Sequence, residues 1–359
     1  MSKLLSQGGY GCVYYPGISC TGETSTNKKY ISKLQANELW TRREISIGKT
    51  VASINNYNWY FAPIVDSCPI KLRNISDKTI LNKCEVIKDF NVDYLLMYSP
   101  YIDKISFYDF LFKEKDYSVL LNFIEMNKFL LSSIYKLIKS NILHFDLKAE
   151  NIIYNSNKNT PIIIDFGISI DIKLLFNNSL TQFFYGYHPE YPIWPIEVHL
   201  INYLLHVSIS NIVSYTDITN VCSDYVFSNT RFSNAFSNDF IEKYYIGAVD
   251  YYNKFIGMKK EDAIKSLIDT NWKTWDIYQL NILNLHICNF IFNKKYFKNK
   301  LLIYFFKEIL KSIHYDPSKR PSIIDKIAII NSVFFQFDTF DDCKILKHQM
   351  NILAKSIDI

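Results

Sequence analysis

The sequence lacks any uninterrupted apolar run close to the roughly 18–20 residues that a membrane-spanning helix requires. The opening residues, Met1 to Gly8, are too short and too soon interrupted for a signal peptide. The chain also lacks a strong charge of either sign, because 40 Lys and Arg residues against 35 Asp and Glu residues leave only +5. This charge is too small to indicate a dedicated nucleic-acid-binding protein. We therefore expect neither a membrane nor a nucleic acid as a partner.

The cysteines lack the close spacing of a metal site or a redox motif. None of the seven forms a CxxC pair. An odd number of scattered cysteines in a large chain without a secretion signal predicts reduced thiols and a cytoplasmic location. The residues concerned are Cys12, Cys20, Cys68, Cys84, Cys222, Cys288 and Cys343.

The composition is that of a globular protein, with 48% hydrophobic, 16% aromatic and 21% charged residues in 359. The first hundred residues alternate as short strands around one helix, predicted at 36–52. Ser99-Pro100 interrupts this pattern, and from Ser118 onward apolar residues recur mostly at helical spacing. The pattern predicts an α+β fold with a small β-rich part followed by a larger helical part.

The most informative motif is the stretch from His144 to Asn151, followed by Asp165-Phe166-Gly167. Asp146 is able to accept a proton from a hydroxyl, whereas the Asn151 amide and the Asp165 carboxylate offer oxygen to hard cations. An apolar run at 161–164 predicts a buried strand that delivers Asp165 to the site. Together these groups predict a site for a metal-bound nucleoside triphosphate beside an alcohol.

A glycine-rich turn near the amino terminus strengthens this interpretation. Ser6-Gln7-Gly8-Gly9-Tyr10-Gly11 lies between two predicted strands, where glycine lets backbone N–H groups approach phosphates. Lys33 follows on the next predicted strand, and its ammonium group is expected to face phosphate. Its ion-pair partner is either Glu44 or Glu38, which both belong to the predicted helix.

The glycine-rich turn, Lys33, the stretch from His144 to Asn151 and Asp165-Phe166-Gly167 follow one another along the chain in the order found in the eukaryotic-type protein kinase superfamily. The chain resembles this superfamily over about residues 3–335. The resemblance implies a two-lobed fold, with the N-lobe at 1–98 and a helical C-lobe at 99–335. An inserted helical segment is expected at about 198–270, and a helical tail at 336–359. Composition makes the chain look similar to divergent kinases of large DNA viruses, which implies the host cytoplasm or the virion.

The resemblance implies ATP and Mg²⁺ as cofactors, with nucleotide held between the two lobes. Asp146 would act as catalytic base, and Lys148, typical of serine/threonine kinases, would neutralise the transferring phosphoryl group. Lys33 and its partner Glu44 would complete the catalytic set, and Asn151 and Asp165 would bind the metal. The nucleotide contacts implied by the resemblance, in addition to Asn151 and Asp165, are Gly8, Gly9, Gly11, Val13, Ile31, Lys33, Met97 and Tyr98.

Two later motifs agree with the resemblance, whereas Phe145 and Gly48 are among the residues that depart from it. Asp276 would anchor the catalytic-loop backbone, and Arg320 would pair with a glutamate, which is either Glu197 or Glu190. Phe145 stands where many family members have an arginine that grips phosphate, which predicts activity without phosphorylation of the 168–190 segment. Gly48 stands one helical turn after Glu44, where a bulky residue is expected.

The expected function is that of a serine/threonine protein kinase acting on a protein acceptor. One alternative is a pseudokinase scaffold that binds partners through 198–270. Another is a phosphotransferase whose acceptor is a small molecule such as a sugar, choline or an aminoglycoside. The sequence does not indicate the oligomeric state.

Overall fold

The structure, a computed structural model, describes residues 2–336 apart from a few short gaps. These gaps are Tyr10, 24–26, Lys88, Phe90, 113–116, Phe176 and 295–299. The helical tail predicted at 336–359 therefore lies outside the described residues from 337 onward. The chain forms two compact units. The first comprises Met1–Phe110, Lys139–His144 and Glu150–Asp171, and the second comprises Leu111–Ile138, Phe145–Ala149 and the chain from Ile172 onward.

The first unit is built on a five-stranded antiparallel sheet, as the amino-terminal strand pattern predicts. Its strand order is β1-β2-β3-β5-β4. The strands are β1 (Lys3–Gln7), β2 (Gly11–Tyr15), β3 (Tyr30–Ala36), β4 (Asp66–Ile70) and β5 (Tyr94–Pro100). The α+β class is confirmed, because a largely helical region follows this sheet along the chain.

The two faces of this sheet carry different side chains because successive residues of a strand point to opposite sides. On one face Cys12, Leu34 and Leu96 are cross-strand neighbours and belong to a fully buried cluster. One residue further along each pairing, Val13 lies opposite Lys33, and Lys33 lies opposite Met97. The sheet therefore separates its own apolar core from the face that carries Lys33.

Helix α1 (Leu39–Ala52) follows β3 directly and packs closely against the chain before β4. A Cβ atom at Gly48 would lie 2.3 Å from the Ile64 carbonyl oxygen. Only glycine permits this approach, so the absence of a bulky residue one turn after Glu44 has a packing reason. Helix α2 (Phe107–Phe112) begins near the end of the first of the three chain segments that make up the first unit.

Two small antiparallel sheets complete the first unit. Strands β6 (Lys104–Ser106), β8 (Ile152–Asn155) and β9 (Thr160–Ile163) form one, in the order β6-β8-β9. Strands β7 (Ile142–Leu143) and β10 (Ile170–Asp171) form the other. Strand β9 is buried along its length and ends directly before Ile164-Asp165, as the apolar run at 161–164 predicts.

The second unit is helical. Helix α3 (Tyr117–Lys139) buries Met126, Leu130 and Ile134 at helical spacing. Asn141, just beyond the helix end, has the positive φ of 58° that is common after helix termini. Its helices are α3 (Tyr117–Lys139), α4 (Ile172–Leu175), α5 (Ile196–His206), α6 (Tyr215–Ser228), α7 (Thr230–Ala235), α8 (Asn238–Tyr252), α9 (Lys260–Lys294), α10 (Lys300–Ser312) and α11 (Ile323–Gln336).

The segment expected to be an insertion, 198–270, is more helical than its polar sequence suggests. Ser214 and Asp217 form a reciprocal capping box at the start of α6, and the Asn229 side chain accepts two backbone N–H bonds at the start of α7. These caps allow polar residues to begin helices whose inner faces bury Tyr225 and Phe232. Helix α9 runs without interruption from Lys260, near the end of this segment, through Asp276. In the part of the chain that the structure describes, no helix has both the length and the apolar character needed to cross a bilayer.

The prediction that the thiols are reduced is wrong for four of the seven cysteines. Disulfides join Cys12 to Cys84 and Cys20 to Cys68, with 6.0 Å between the Cα atoms of each pair. The paired residues are 72 and 48 positions apart in sequence. Sequence spacing could not reveal these pairs, because the fold of the first unit brings the partners together. Cys222 and Cys288 are buried free thiols, and Cys343 lies outside the described residues.

Candidate functional site

Lys33 in the first unit forms a buried ion pair with Glu44 of α1. The Lys33 Nζ atom lies 2.9 Å from Glu44 Oε1 and 2.8 Å from Oε2, so the ammonium binds both carboxylate oxygens. The Glu44 side chain is 4% exposed, whereas Glu38 is exposed at the start of the helix. The structure thus selects Glu44 over Glu38 as the partner.

Asp165 lies beside this pair, with its Oδ1 atom 3.7 Å from Lys33 Nζ. Burial alone would lower the pKa of Lys33, but the Glu44 and Asp165 carboxylates outweigh it and raise the pKa above its ordinary value. Lys33 is therefore a fixed cation at neutral pH. The Asp165 side chain is 52% exposed, so its carboxylate also remains open to a ligand from solvent.

The backbone around Asp165 has a conformation that makes room for this arrangement. Asp165 has a φ of 60°, and the Gly167 N–H donates to its Oδ1 atom over 3.3 Å. A Cβ atom at Gly167 would lie 3.1 Å from that oxygen and 3.7 Å from Lys33 Nζ. Glycine at position 167 therefore keeps the space beside both charged groups clear.

His144 and Asn151 hold the same segment through its backbone. The His144 ring Nε2 atom lies 3.0 Å from the Ile164 carbonyl oxygen, and the Ser169 hydroxyl donates to the His144 carbonyl. The Ile164 N–H donates to the Asn151 carbonyl oxygen over 2.9 Å. The structure thus brings the Asn151 backbone beside Ile164, the residue that precedes Asp165.

The expected nucleotide residues of the sheet fall into two groups. Val13 and Met97 flank Lys33 on its own face of the sheet, and Ile31 shares that face because it lies two residues before Lys33 on β3. Tyr98 does not join them. Its side chain packs against the core on the opposite face, where its hydroxyl donates to the Ile18 carbonyl.

The glycines of the β1–β2 turn have different structural roles. Gly8 and Gly9 are exposed, and added Cβ atoms would meet nothing within 4 Å. At Gly11 an added Cβ atom would lie 2.6 Å from the Leu34 carbonyl oxygen. Gly11 is thus required by the close approach of β2 and β3, whereas no neighbouring atom requires glycine at positions 8 and 9.

In the second unit, the backbone around Asp146 is anchored by helix α9. The Phe145 N–H donates to Asp276 Oδ1 over 2.9 Å, and the Leu147 N–H donates to Gln279 Oε1 over 2.7 Å. Asp276 and Gln279 are three residues apart on one helix face, so they bind alternate residues of the loop. Asp276 therefore makes the contact that the sequence resemblance implied.

Aromatic packing surrounds Phe145, the residue that replaces an arginine in the expected pattern. Phe145 has a φ of 70° and its ring stacks on Trp194 with 4.9 Å between centroids. The Trp194 indole N–H donates to the Phe145 carbonyl oxygen over 2.9 Å. Phe184 and Trp275 also contact the Phe145 ring. The loop and the segment that carries Trp194 are thus joined by apolar contacts.

Both carboxylate oxygens of Asp146 have partners in the second unit. Lys148 Nζ lies 3.0 Å from Asp146 Oδ2, and the Tyr191 hydroxyl donates a short hydrogen bond to Oδ1. The Asp146 side chain is 13% exposed and the Lys148 side chain 36% exposed. The predicted pair Asp146 and Lys148 is therefore in direct contact.

Arg320 binds Glu197 and not Glu190. Its two terminal nitrogens lie 2.5 and 3.0 Å from the two Glu197 carboxylate oxygens, and both side chains are at most 1% exposed. Glu190 is instead an exposed partner of His188. The alternative left open by the sequence is thus decided in favour of Glu197.

Sequence reasoning missed Gln279 and Tyr191. Gln279 was detectable in principle, since it stands one helical turn after Asp276 and so shares its face. Tyr191 had no comparable signal, because the Tyr191–Asp146 contact spans 45 residues.

Asp165 and Asn151 carry oxygen donors of the kind that a magnesium ion shared with a phosphate ligand would need. Magnesium usually takes one or two carboxylates from the protein and completes its shell with water and phosphate oxygens. The exposed Asp165 carboxylate and the Asn151 amide match this donor set. In the described part of the chain, no group of three His, Cys, Asp or Glu side chains is arranged to hold a metal by itself.

Comparison with protein-family models and with curated proteins gives no match for this chain.

Proposed function

We propose that this protein is a serine/threonine protein kinase that transfers the γ-phosphate of ATP to a protein hydroxyl. The observation that carries the proposal is the buried Lys33–Glu44 pair with the exposed Asp165 carboxylate 3.7 Å from the lysine. A lysine held as a cation beside an open carboxylate is suited to bind phosphate together with a divalent metal.

In this proposal, residues of the first unit bind the nucleotide. Lys33 would bind phosphate oxygens, and the turn at Gly8 and Gly9 would approach the phosphates with the backbone N–H of Gly9. The Gly8 N–H donates to the Gly11 carbonyl within the turn. Asp165 and Asn151 would hold Mg²⁺, which supplies positive charge to offset the phosphates. Val13 and Met97 would offer apolar contact to the base from the same sheet face as Lys33.

Residues of the second unit would act on the acceptor hydroxyl and on the phosphoryl group that is transferred to it. Asp146 would accept the proton of the acceptor hydroxyl as the oxygen–phosphorus bond forms and ADP departs. Lys148, 3.0 Å from Asp146, would offset negative charge on the phosphoryl oxygens. A lysine at this position favours serine and threonine acceptors over tyrosine, by resemblance to the serine/threonine class.

The Asp276 and Glu197–Arg320 contacts support a protein kinase over a small-molecule phosphotransferase. Both contacts occur in the protein kinase pattern, and small-molecule enzymes that share the catalytic loop generally lack them. A two-lobed kinase fold is part of this proposal, together with the 198–270 helices as an addition to its C-lobe.

The test is transfer of radiolabel from γ-labelled ATP to an array of peptides that contain serine or threonine. We expect labelling by the wild type, and a loss of about 10²–10⁴-fold in Asp146→Asn, the range for removal of a catalytic base. Lys33→Met should lose activity similarly, because one positioned charge is commonly worth about 10²–10³-fold.

Matched controls are Asp269→Asn and Lys29→Met, which change exposed residues of the same types and should retain activity. Labelling that survives in Asp146→Asn would contradict the assignment of the base. Tight ATP binding without transfer to any acceptor would favour the scaffold alternative. Transfer to a sugar, choline or an aminoglycoside, with all peptides unlabelled, would favour the small-molecule alternative.

A further inference from the structure

Tyr191 makes the same contact with Asp146 that a substrate hydroxyl has to make. Its hydroxyl group donates to Asp146 Oδ1, while Lys148 holds Oδ2 at 3.0 Å. A general base receives the acceptor proton through a hydrogen bond of this kind. In this structure, the Tyr191 hydroxyl therefore occupies the position at the Asp146 carboxylate that the hydroxyl of the proposed acceptor would take.

Further contacts hold the Tyr191 ring at this position. The ring packs edge-on against Trp194, with 4.8 Å between centroids, and the Tyr191 N–H donates to the His188 carbonyl over 3.0 Å. Lys148 Nζ lies 5.8 Å from the ring centroid, within range of a cation–π contact. The Trp194 indole N–H in turn donates to the carbonyl of Phe145, the residue before Asp146. Tyr191 therefore packs on a side chain that is bound to the backbone beside Asp146.

The surroundings of Tyr191 permit the ring to leave. Tyr191 is only partly buried, and its neighbours His188 and Glu190 are exposed. The contacts that hold the side chain include the hydrogen bond to Asp146, the aromatic contact with Trp194 and the cation–π contact with Lys148.

We infer that Tyr191 competes with the protein acceptor for Asp146 and thereby sets the affinity of the enzyme for its acceptor. The inference rests on the proposed kinase function and concerns the acceptor side of the same site. An acceptor binds productively only when the Tyr191 hydroxyl has left Asp146, so the stability of this contact enters the acceptor KM. The chemical step, once the acceptor is in place, does not require Tyr191.

The test compares Tyr191→Phe with the wild type in steady-state transfer to a peptide that the wild type phosphorylates. We expect the acceptor KM to fall about tenfold, the equivalent of one hydrogen bond of about 1.4 kcal/mol to a charged group. The kcat value and the KM for ATP should stay within about twofold. Tyr191→Ala, which also removes the ring, should lower the acceptor KM at least as far.

The matched control is Tyr187→Phe. Tyr187 belongs to the same segment and its hydroxyl donates to the Asp224 carboxylate over 2.9 Å, so this variant loses an equivalent bond away from Asp146. Its acceptor KM should equal that of the wild type. Thermal unfolding of all variants identifies any loss of folded protein, and the kinetic constants are then expressed per folded molecule.

The outcomes separate this inference from the proposed function. A fall in kcat with an unchanged acceptor KM in Tyr191→Phe would show that Tyr191 positions Asp146, and would overturn the inference while leaving the kinase function in place. An equal KM change in Tyr187→Phe would overturn it too. If no wild-type transfer to any peptide occurs, the proposed function fails first and the inference fails with it.

Discussion

Removing the charge of Glu197 should strongly destabilise the protein, because Glu197 neutralises a buried guanidinium. The Glu197 and Arg320 side chains are 0% and 1% exposed and share two hydrogen bonds. The Tyr252 hydroxyl donates to Glu197 Oε2, and Arg320 also donates to the His314 carbonyl oxygen. Glu197→Gln keeps the size of the side chain and removes its charge.

The expected loss is about 3–5 kcal/mol in the free energy of unfolding, the range for breaking one partner of a buried pair. Deprotonation of Arg320 cannot relieve the loss. A guanidinium group stays protonated in proteins even when its carboxylate partner is removed, so the variant keeps an uncompensated buried charge. The amide in Glu197→Gln keeps some polar contacts. These restore little of the lost stability, because the carboxylate charge that neutralised the buried guanidinium is gone.

Removing both charges should cost much less than removing one. In Glu197→Met combined with Arg320→Met, no uncompensated charge remains, and apolar side chains of similar length occupy the buried space. Replacement of a whole buried pair by apolar residues is often neutral or stabilising. We expect the double variant to be more stable than either single variant by about 2 kcal/mol or more.

Urea unfolding followed by tryptophan fluorescence and circular dichroism measures these differences. The control is Asp239→Asn, which breaks the exposed Asp239–Lys243 pair at 3.4 Å and should change stability by less than about 1 kcal/mol. The reasoning is refuted if Glu197→Gln costs no more than this control. It is equally refuted if the costs of the two single methionine variants simply add in the double variant.

Further predictions concern a disulfide and two buried titratable groups. Replacing Cys12 and Cys84 together by serine should lower the free energy of unfolding by about 2–4 kcal/mol, measured in urea, because the bond closes a long loop. Burial lowers the pKa of Lys326 to about 8. Below that pH the ammonium is charged in both states and its burial is unfavourable, so Lys326→Met should stabilise the protein by about 2 kcal/mol at pH 7. This advantage should fade as the pH rises from 8 toward 10.5, and thermal unfolding against pH tests it. Burial lowers the pKa of His199 to about 3. The unfolded chain then binds more protons below pH 6.5, so the wild type should lose about 2–3 kcal/mol between pH 6.5 and 4.5. His199→Phe should not show this loss in urea titrations at the two pH values.

Much of the fold follows from local patterns that the sequence displays. The strands around the glycine-rich turn, the helix after Lys33 and the buried strand before Asp165 each arise from the spacing of apolar residues over a few positions. The helices at 215–235 were harder to predict. Their caps lie within polar stretches, and the tyrosine and phenylalanine residues that they bury lie among those polar residues.

The residue types of the candidate site were also readable from the sequence. Four of its residues each belong to a short motif whose chemistry can be inferred from the sequence, namely Lys33, Asp146, Asn151 and Asp165. The order and spacing of the residues within each motif are local properties of the chain. The sequence alone therefore determined which side chains the proposed site would use.

The partners of those groups were decided only by the tertiary structure. The choice of Glu44 for Lys33, of Glu197 for Arg320 and of Tyr191 for Asp146 depends on which side chains the fold places within hydrogen-bond distance. Ion pairs and hydrogen bonds act over a few ångströms, whereas the residues that form them are 11, 123 and 45 positions apart. Such contacts exist only after helices and strands have packed. The sequence therefore left two candidate glutamates for Lys33 and two for Arg320, and it gave no indication of Tyr191 as a partner of Asp146.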